Sequence, residues 1–148
     1  MLKNSYMEKV GKKSKIASTK LSDLSINKKN SVLKQFSQYL KINEKSILKA
    51  NKKDINKAKN KKIKESMIDR LKLDKNKIAQ IKYSIEKIIK FKDPVGKILS
   101  SWKRPNGLII KKISIPIGVI GVIYESRPNV TSDVSALCFK SGNVVILR

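Results

Sequence analysis

Apolar residues recur at helical spacing through the first part of the chain, up to about residue 92. Ser25 precedes one such run and can accept a hydrogen bond as a helix cap, and a second, thinner run extends from Asn43 to Lys62. A short segment, Glu65–Leu73, follows, and Asp74 can cap the clearest helix of the chain. The apolar stripe of that helix consists of Ile78, Ile81, Ile85, Ile88 and Ile89. The pattern predicts a helical segment over residues 1–92.

The pattern changes at Asp93-Pro94-Val95-Gly96, because a proline and a glycine end the helical spacing. Two segments typical of β-strands follow, Ile98–Lys103 and Leu108–Ile115, on either side of Arg104-Pro105-Asn106-Gly107. Asn-Gly is a strong hairpin signal, since both residues tolerate positive φ. We therefore predict a β-hairpin within residues 93–117.

Strand and helix patterns alternate over the last segment, residues 118–148. The nearly continuous Val/Ile run from Gly118 to Tyr124 predicts a strand buried on both faces of a parallel sheet. Residues 129–140 have helical spacing, and Val144–Leu147 returns to a strand pattern. The fold class is α/β. Ligands of open α/β sheets collect where loops leave the carboxyl ends of strands, so residues 124–129 are the first candidate site.

The chain ends at Arg148, at the tip of the second predicted strand, with no following helix to cover it. A natural domain rarely ends on an unsupported parallel strand. We expect the chain to be a truncated, front part of a longer protein.

The formal charge of +24 comes from 35 basic and 11 acidic residues and raises the possibility of a nucleic-acid partner. Arg70, Arg104, Arg127 and Arg148 are the only arginines, so nearly all of the positive charge is scattered lysine. The aromatic residues are sparse and fall at apolar helical positions such as Phe36 and Tyr39, whereas a nucleic-acid reader more often exposes aromatics for stacking. This composition favours a bias towards Lys, Ile and Asn over nucleic-acid binding. A lysine-rich nucleic-acid-binding protein remains the alternative.

Cys138 is the only cysteine and histidine is absent, which excludes internal disulfides and histidine-based catalysis and predicts no metal site. A single thiol suits a reducing cytosol, and the sequence shows neither a secretion signal nor about 18 successive apolar residues. We expect a cytoplasmic protein without a membrane span. Because Cys138 lies on the apolar face of a predicted helix, we interpret it as a buried structural residue.

Two glycines, Gly118 and Gly121, resemble part of a dinucleotide-binding fingerprint. They stand at the start of the predicted strand, whereas a phosphate loop needs glycines in the turn after the strand. We interpret them as positions that let a neighbouring element approach the strand closely.

The loop after the strand places an acid, a hydroxyl, a guanidinium and an amide at the mouth of an apolar strand. Ser126 or Asn129 can cap the next helix, and Pro128 suits a helix start. Arg127 at a helix amino end would add its charge to the backbone donors there, which suits a carboxylate or phosphate ligand. The sequence leaves both interpretations open, a helix cap and a binding site.

The stretch Ile-Pro-Ile-Gly-Val-Ile-Gly-Val-Ile-Tyr-Glu-Ser-Arg-Pro-Asn-Val-Thr, residues 115–131, resembles the signature of γ-glutamyl phosphate reductases. This family belongs to the aldehyde dehydrogenase superfamily. Further stretches agree with the family in the same order. They are Met67-Ile-Asp-Arg-Leu71, Asp93-Pro-Val-Gly96, Arg104-Pro-Asn-Gly-Leu108 and Ala136–Arg148. The resemblance covers nearly the whole chain and is to the amino-terminal portion of the family.

The resemblance implies NADPH-dependent reduction of L-glutamyl 5-phosphate to L-glutamate 5-semialdehyde and phosphate, in L-proline biosynthesis. It implies that residues 1–92 are the helical amino-terminal part of the cofactor-binding domain and that residues 118–148 begin its Rossmann-like NADP-binding sheet. It also implies a catalytic cysteine beyond Arg148, and therefore no activity for this chain alone. The resemblance also implies that the full-length protein is a homo-oligomer and is functionally coupled to glutamate 5-kinase. It implies no nucleic-acid or membrane partner.

The resemblance also implies roles for individual residues. The cofactor contacts would be Ile123, Tyr124, Glu125, Ser126 and Arg148. Arg148 would lie near the adenosine ribose, where an arginine favours the 2′-phosphate of NADP. Either Arg127 or Asn129 would contact the substrate or the oxyanion.

Overall fold

The computed structural model describes residues 5–125 and 127–148, which form six helices and four short strands. The helices are α1 (Ser5–Ser22), α2 (Ile26–Ile42), α3 (Glu44–Asn60), α4 (Glu65–Leu71), α5 (Lys75–Lys90) and α6 (Pro128–Lys140). The strands are β1 (Ile98–Lys103), β2 (Ile109–Ile113), β3 (Val119–Val122) and β4 (Val144–Leu147). The α/β class is confirmed. Among the described helices, none is long and apolar enough to cross a membrane.

Local side-chain chemistry starts two of the helices as predicted. Ser25 accepts a hydrogen bond from the Lys28 amide at 3.3 Å ahead of α2. Asp74 accepts one from the Lys77 amide at 2.7 Å ahead of α5. Both caps satisfy amides that have no partner inside the helix.

The hydrophobic core lies between α2, α5 and α6. Its buried members are Leu33, Ile81, Ile85, Ile88 and Ala136. Ile85 has no exposed surface, and the isoleucines of α5 follow the stripe read from the sequence. Helix α6 therefore packs on the helical segment. The division of the chain into residues 1–92, 93–117 and 118–148 stays a prediction.

The α3 helix is held to the linker between α4 and α5 by a buried asparagine. The Asn51 amide nitrogen donates to the Leu71 carbonyl, and its oxygen accepts from the Leu73 amide, both at 2.8 Å. Asn51 is only 6% exposed. These two bonds satisfy backbone groups that the short α4 leaves unpaired.

Strands β1 and β2 form an antiparallel hairpin in which Trp102 pairs with Ile110. The turn differs from the expected one, because Gly107 alone has positive φ, at +87°. The Gly107 amide donates to the Arg104 carbonyl at 2.9 Å, and the Arg104 amide donates to the Leu108 carbonyl at 2.8 Å. Pro105, Asn106 and Gly107 thus form a three-residue loop, in which a tight turn is followed by one left-handed glycine.

Strands β3 and β4 are parallel, with Val119 opposite Val144 and Val122 opposite Leu147. The prediction of a strand buried on both faces is wrong for this chain. None of the β3 residues is fully buried, Gly121 is exposed, and Ile123 just beyond the strand is 87% exposed. Helix α6 packs mainly on β4, so β3 lacks the second cover that a fully buried strand requires.

The entry to this pair of strands depends on two glycines with positive φ. Gly118 has φ of +115°, and its amide donates to the buried Asn143 side chain at 2.9 Å. A Cβ at Gly142 would lie 2.9 Å from Pro116. The close approach of another element therefore occurs at Gly142. At Gly121, no described atom lies within 4 Å of an added Cβ, so the predicted reason for this glycine, close approach of a neighbouring element, is wrong.

Two lysines, Lys29 on α2 and Lys140 on α6, are buried, whereas most lysines of the described residues are exposed. Lys29 is 2% exposed and pairs with Asp93 at 3.5 Å. Lys140 is 3% exposed and donates to the Asn30 oxygen at 2.6 Å and the Ile89 carbonyl at 2.9 Å. Burial lowers the pKa of Lys140, Asp93 opposes this effect, and Lys29 adds to it. The network joins α2, α5 and α6 at the carboxyl end of α5.

Candidate functional site at the ends of the parallel strands

The predicted site loop leaves the carboxyl end of β3 beside the end of β4. The Tyr124 amide donates to the Arg148 carbonyl, and the Arg148 amide donates to the Val122 carbonyl, both at 2.9 Å. The strand pairing thus brings Tyr124 and Arg148 side by side. Ile123, Glu125 and Arg148 are exposed. Ser126, the remaining predicted cofactor contact, lies outside the described residues.

Arg127 occupies the cap position of α6, and its exposed side chain makes no capping hydrogen bond in the described structure. Its carbonyl accepts from the Val130 amide at 3.0 Å, and Pro128 is the first helical residue, as its fixed φ favours. Asn129 lies inside the helix, so the prediction that it caps α6 is wrong. The alternative cap, Ser126, is not among the described residues. The guanidinium is thus not held by the helix it precedes.

A hydrogen bond between side chains joins the loop to α6. The Tyr124 hydroxyl and the Thr131 hydroxyl lie 2.5 Å apart, on either side of the loop that contains Arg127. A contact across the loop restricts the positions that its backbone can adopt. The phenol of Tyr124 is therefore a support for the loop in addition to being a predicted cofactor contact.

A cavity of about 280 Å³ lies next to the amino end of α6, between α4, α5 and α6. Its polar wall includes Arg70, Lys72, Lys77, Asn129 and Asp133. Arg127 is not part of this wall, so the two predicted substrate contacts face different surroundings. Arg70 and Asp133 line this cavity and were not among the residues predicted from the sequence. The one available signal was that Arg70 belongs to a stretch shared with the reductases.

A second cavity, of about 360 Å³, lies beside Arg148, between the start of α1 and β4. Tyr6, Met7 and Val10 of α1 and Ile146 and Leu147 of β4 form the rest of its wall. The wall thus combines apolar residues with one arginine. Such a wall can contact a flat apolar group that carries an anion.

Cys138 lies on the buried side of α6 and is 8% exposed. Burial raises the pKa of its thiol, which disfavours the reactive thiolate. The interpretation of Cys138 as a buried residue is confirmed, and its environment is the opposite of the one that a nucleophilic cysteine needs.

We predict that Cys138 reacts slowly with iodoacetamide in the folded chain. Because the thiol is buried and protonated, its alkylation at neutral pH should be at least ~100-fold slower than in guanidinium, equivalent to about 2.7 kcal/mol of protection. Mass spectrometry over time measures both rates, and the signal is unambiguous because Cys138 is the only cysteine. A native rate within a fewfold of the unfolded rate would contradict a structural role.

The chain is similar to several reductases of known name. The γ-glutamyl phosphate reductase of Caldicellulosiruptor bescii is 51% identical over 145 residues, which are 98% of the chain and 34% of the relative. That of Nitratiruptor sp. is 49% identical over 142 residues, again with 34% of the relative covered. No protein-family model matches the chain.

Solved structures give the same result. The crystal structure of γ-glutamyl phosphate reductase from Thermotoga maritima matches 93% of the chain and 33% of its own chain, with a TM-score of 0.89 and 42% identity. The structure of the Saccharomyces cerevisiae enzyme matches 95% of the chain and 36% of its own, with a TM-score of 0.90 and 33% identity.

Over nearly its whole length, the chain has the α/β fold of one region of these oxidoreductases. It is homologous to γ-glutamyl phosphate reductases and corresponds to an amino-terminal portion of them, about a third of their length.

Proposed function

We propose that the chain functions as part of an NADP-dependent reductase that converts L-glutamyl 5-phosphate to L-glutamate 5-semialdehyde and phosphate in L-proline biosynthesis. The observation that carries the proposal is the match to a γ-glutamyl phosphate reductase at 51% identity over 98% of the chain. Identity of this level over a region with a common fold supports a common function.

The cofactor contacts in this proposal are Ile123, Tyr124, Glu125, Ser126 and Arg148. The described residues of this set fit a nucleotide, because the loop is exposed at the ends of two parallel strands. NADPH would supply the hydride. The exposed Arg148 guanidinium would bind the 2′-phosphate that distinguishes NADP from NAD. These strands would begin a Rossmann-like sheet.

Arg127 binds the anionic end of the substrate or the cofactor in this proposal. The basis is its position, an exposed guanidinium at the amino end of a 13-residue helix, where backbone dipoles also favour negative charge. Cys138 has no chemical role. The described residues of this chain thus bind and orient the reacting molecules, and the nucleophile would be a cysteine outside this chain.

The reductase would be a cytoplasmic homo-oligomer, functionally coupled to glutamate 5-kinase, which would supply the acyl phosphate. The hairpin supports an oligomer, because it exposes several large apolar side chains. These are Ile98, Leu99, Trp102, Leu108, Ile109 and Ile113. Exposed apolar surface of this kind marks interaction sites.

A chimera tests the proposed function. The 148-residue chain replaces the matched region of the C. bescii reductase, and NADPH oxidation is followed with L-glutamyl 5-phosphate. The proposal expects activity within ~10-fold of the relative, equivalent to about 1.4 kcal/mol, and none from the 148-residue chain alone. A folded but inactive chimera, checked by size-exclusion chromatography and circular dichroism, would refute it.

We predict that Arg127→Ala lowers kcat/KM of this chimera at least ~10-fold, because one charge facing an anion contributes roughly 1.4 kcal/mol or more. Lys34→Ala and Lys57→Ala are the matched controls. Both lysines are exposed on helices, where water screens their charge, and the change should stay within about twofold. Full activity of the Arg127 variant, or larger losses in the lysine variants, would contradict the proposed role.

A further inference from the structure

The cavity between α4, α5 and α6 contains a charge arrangement that the proposed cofactor and anion contacts do not use. Three cationic side chains line it, those of Arg70, Lys72 and Lys77, together with one carboxylate, that of Asp133. Lys77 is held in place, since its ammonium donates to the Lys72 carbonyl at 2.6 Å. All these residues belong to this chain, so its own helices form the cavity.

The Asp133 carboxylate is only partly satisfied. One oxygen accepts a long hydrogen bond, 3.4 Å, from the Asn129 amide. The other is buried and has no hydrogen-bond partner among residues 5–125 and 127–148. The two ion pairs of the described chain, Lys29 with Asp93 and Lys82 with Glu86, do not include it. The carboxylate of this cavity-lining residue therefore has capacity for a further donor, and a charged donor from a ligand would supply a stronger hydrogen bond than the Asn129 amide does.

We propose that this cavity binds the amino-acid end of the substrate, with Asp133 receiving the α-ammonium and Arg70 the α-carboxylate. The inference rests on the proposed function and assigns a site for one end of its substrate. The ammonium would contact the Asp133 oxygen that accepts from Asn129, because the other oxygen has no exposed surface.

The mixed charge of the wall selects a zwitterion over simpler ions. A phosphate or a plain dicarboxylate would be attracted by the cations but repelled by Asp133. A lone ammonium would be repelled by the three cations. An α-amino acid satisfies both signs at once, and the guanidinium of Arg70 can bind a carboxylate with two parallel hydrogen bonds.

The position of the cavity agrees with the proposed reaction site. Pro128 and Asn129, at the start of α6, line it, and Arg127 is the next residue towards the loop after β3. A substrate held by its amino-acid end in the cavity would extend its other end, the acyl phosphate, towards that loop. Recognition of the constant end and chemistry at the activated end would then occur at neighbouring surfaces.

Binding of L-glutamate to the 148-residue chain tests the inference, with glutarate as the analogue that lacks the ammonium. By calorimetry or NMR titration, we expect L-glutamate to bind at least ~10-fold more tightly than glutarate. Asp133→Asn should abolish that preference by weakening L-glutamate alone, whereas Arg70→Gln should weaken both ligands. Asp69→Asn, an exposed neighbour of Arg70 on α4, is the matched control and should change neither.

Absence of saturable L-glutamate binding, equal affinity for glutarate, or an unchanged preference in Asp133→Asn would overturn the inference. A variant that has lost its fold is recognised by circular dichroism, and Asp133→Glu, which keeps the charge, should then retain part of the preference. These outcomes are independent of the chimera's activity. If the chimera is active but the chain binds L-glutamate and glutarate equally well, only the inference is refuted. If the chimera is folded but inactive, the proposed function is refuted.

Discussion

Replacing Asp93 by Ala is expected to destabilise the chain by about 3 kcal/mol, because removing one partner of a buried ion pair leaves the other charge uncompensated. Lys29 is 2% exposed and pairs with Asp93 at 3.5 Å, and the charge of Lys140 is also stabilised by Asp93. Because the Asp93 side chain is 26% exposed, we expect the loss of unfolding free energy to lie at the lower end of the range for buried ion pairs. Chemical denaturation monitored by circular dichroism measures the free energy of unfolding.

Two further variants show whether charge is the cause. Asp54→Ala, on the exposed face of α3, should change stability by less than about 0.5 kcal/mol. Combining Asp93→Ala with Lys29→Met removes both charges of the pair and should recover part of the loss, since Lys29 no longer carries an uncompensated charge and no longer repels Lys140. A double variant no more stable than Asp93→Ala would show that the loss comes from elsewhere, such as the bond from the Val95 amide to Asp93 at 3.0 Å.

Sequence predicted the features of the fold that depend on neighbouring residues. The caps at Ser25 and Asp74 involve an amide three positions away, and the α5 stripe depends on helical spacing alone. Burial of Lys29 could not be predicted in this way, because its partner Asp93 is distant along the chain. Helical spacing places Lys29 on the same face as Leu33, but the ion pair that stabilises a lysine there forms only on folding.

The same distinction applies to the candidate site. The loop after β3 was predictable, because the end of a parallel strand is where α/β proteins place ligands. The residues of the cavity wall could not be predicted, since Arg70, Lys77 and Asp133 belong to three helices that become neighbours only on folding. The extent of burial of β3 was also misjudged, because an apolar run does not reveal how many elements cover it.

Replacing Ile85 by Ala is expected to cost about 3–4 kcal/mol of unfolding free energy, the largest effect of any apolar truncation in the described chain. Ile85 has no exposed surface and lies in the cluster that contains Leu33 of α2 and Ala136 of α6. Truncation removes its transfer free energy and leaves a cavity that rigid helices cannot fill. The loss should also loosen α6, whose amino end holds Arg127, Asn129 and Asp133.

Matched variants make this expectation testable even if Ile85→Ala does not fold. Ile85→Val removes one methylene and should cost about 0.5–1.5 kcal/mol. Ile42→Ala makes the same truncation at a residue that is 72% exposed and should stay within about 0.5 kcal/mol. The free energies follow from guanidinium unfolding curves with a common slope. Equal losses for Ile85→Ala and Ile42→Ala would mean that α2, α5 and α6 do not share the core described above, and that α6 is positioned by other contacts.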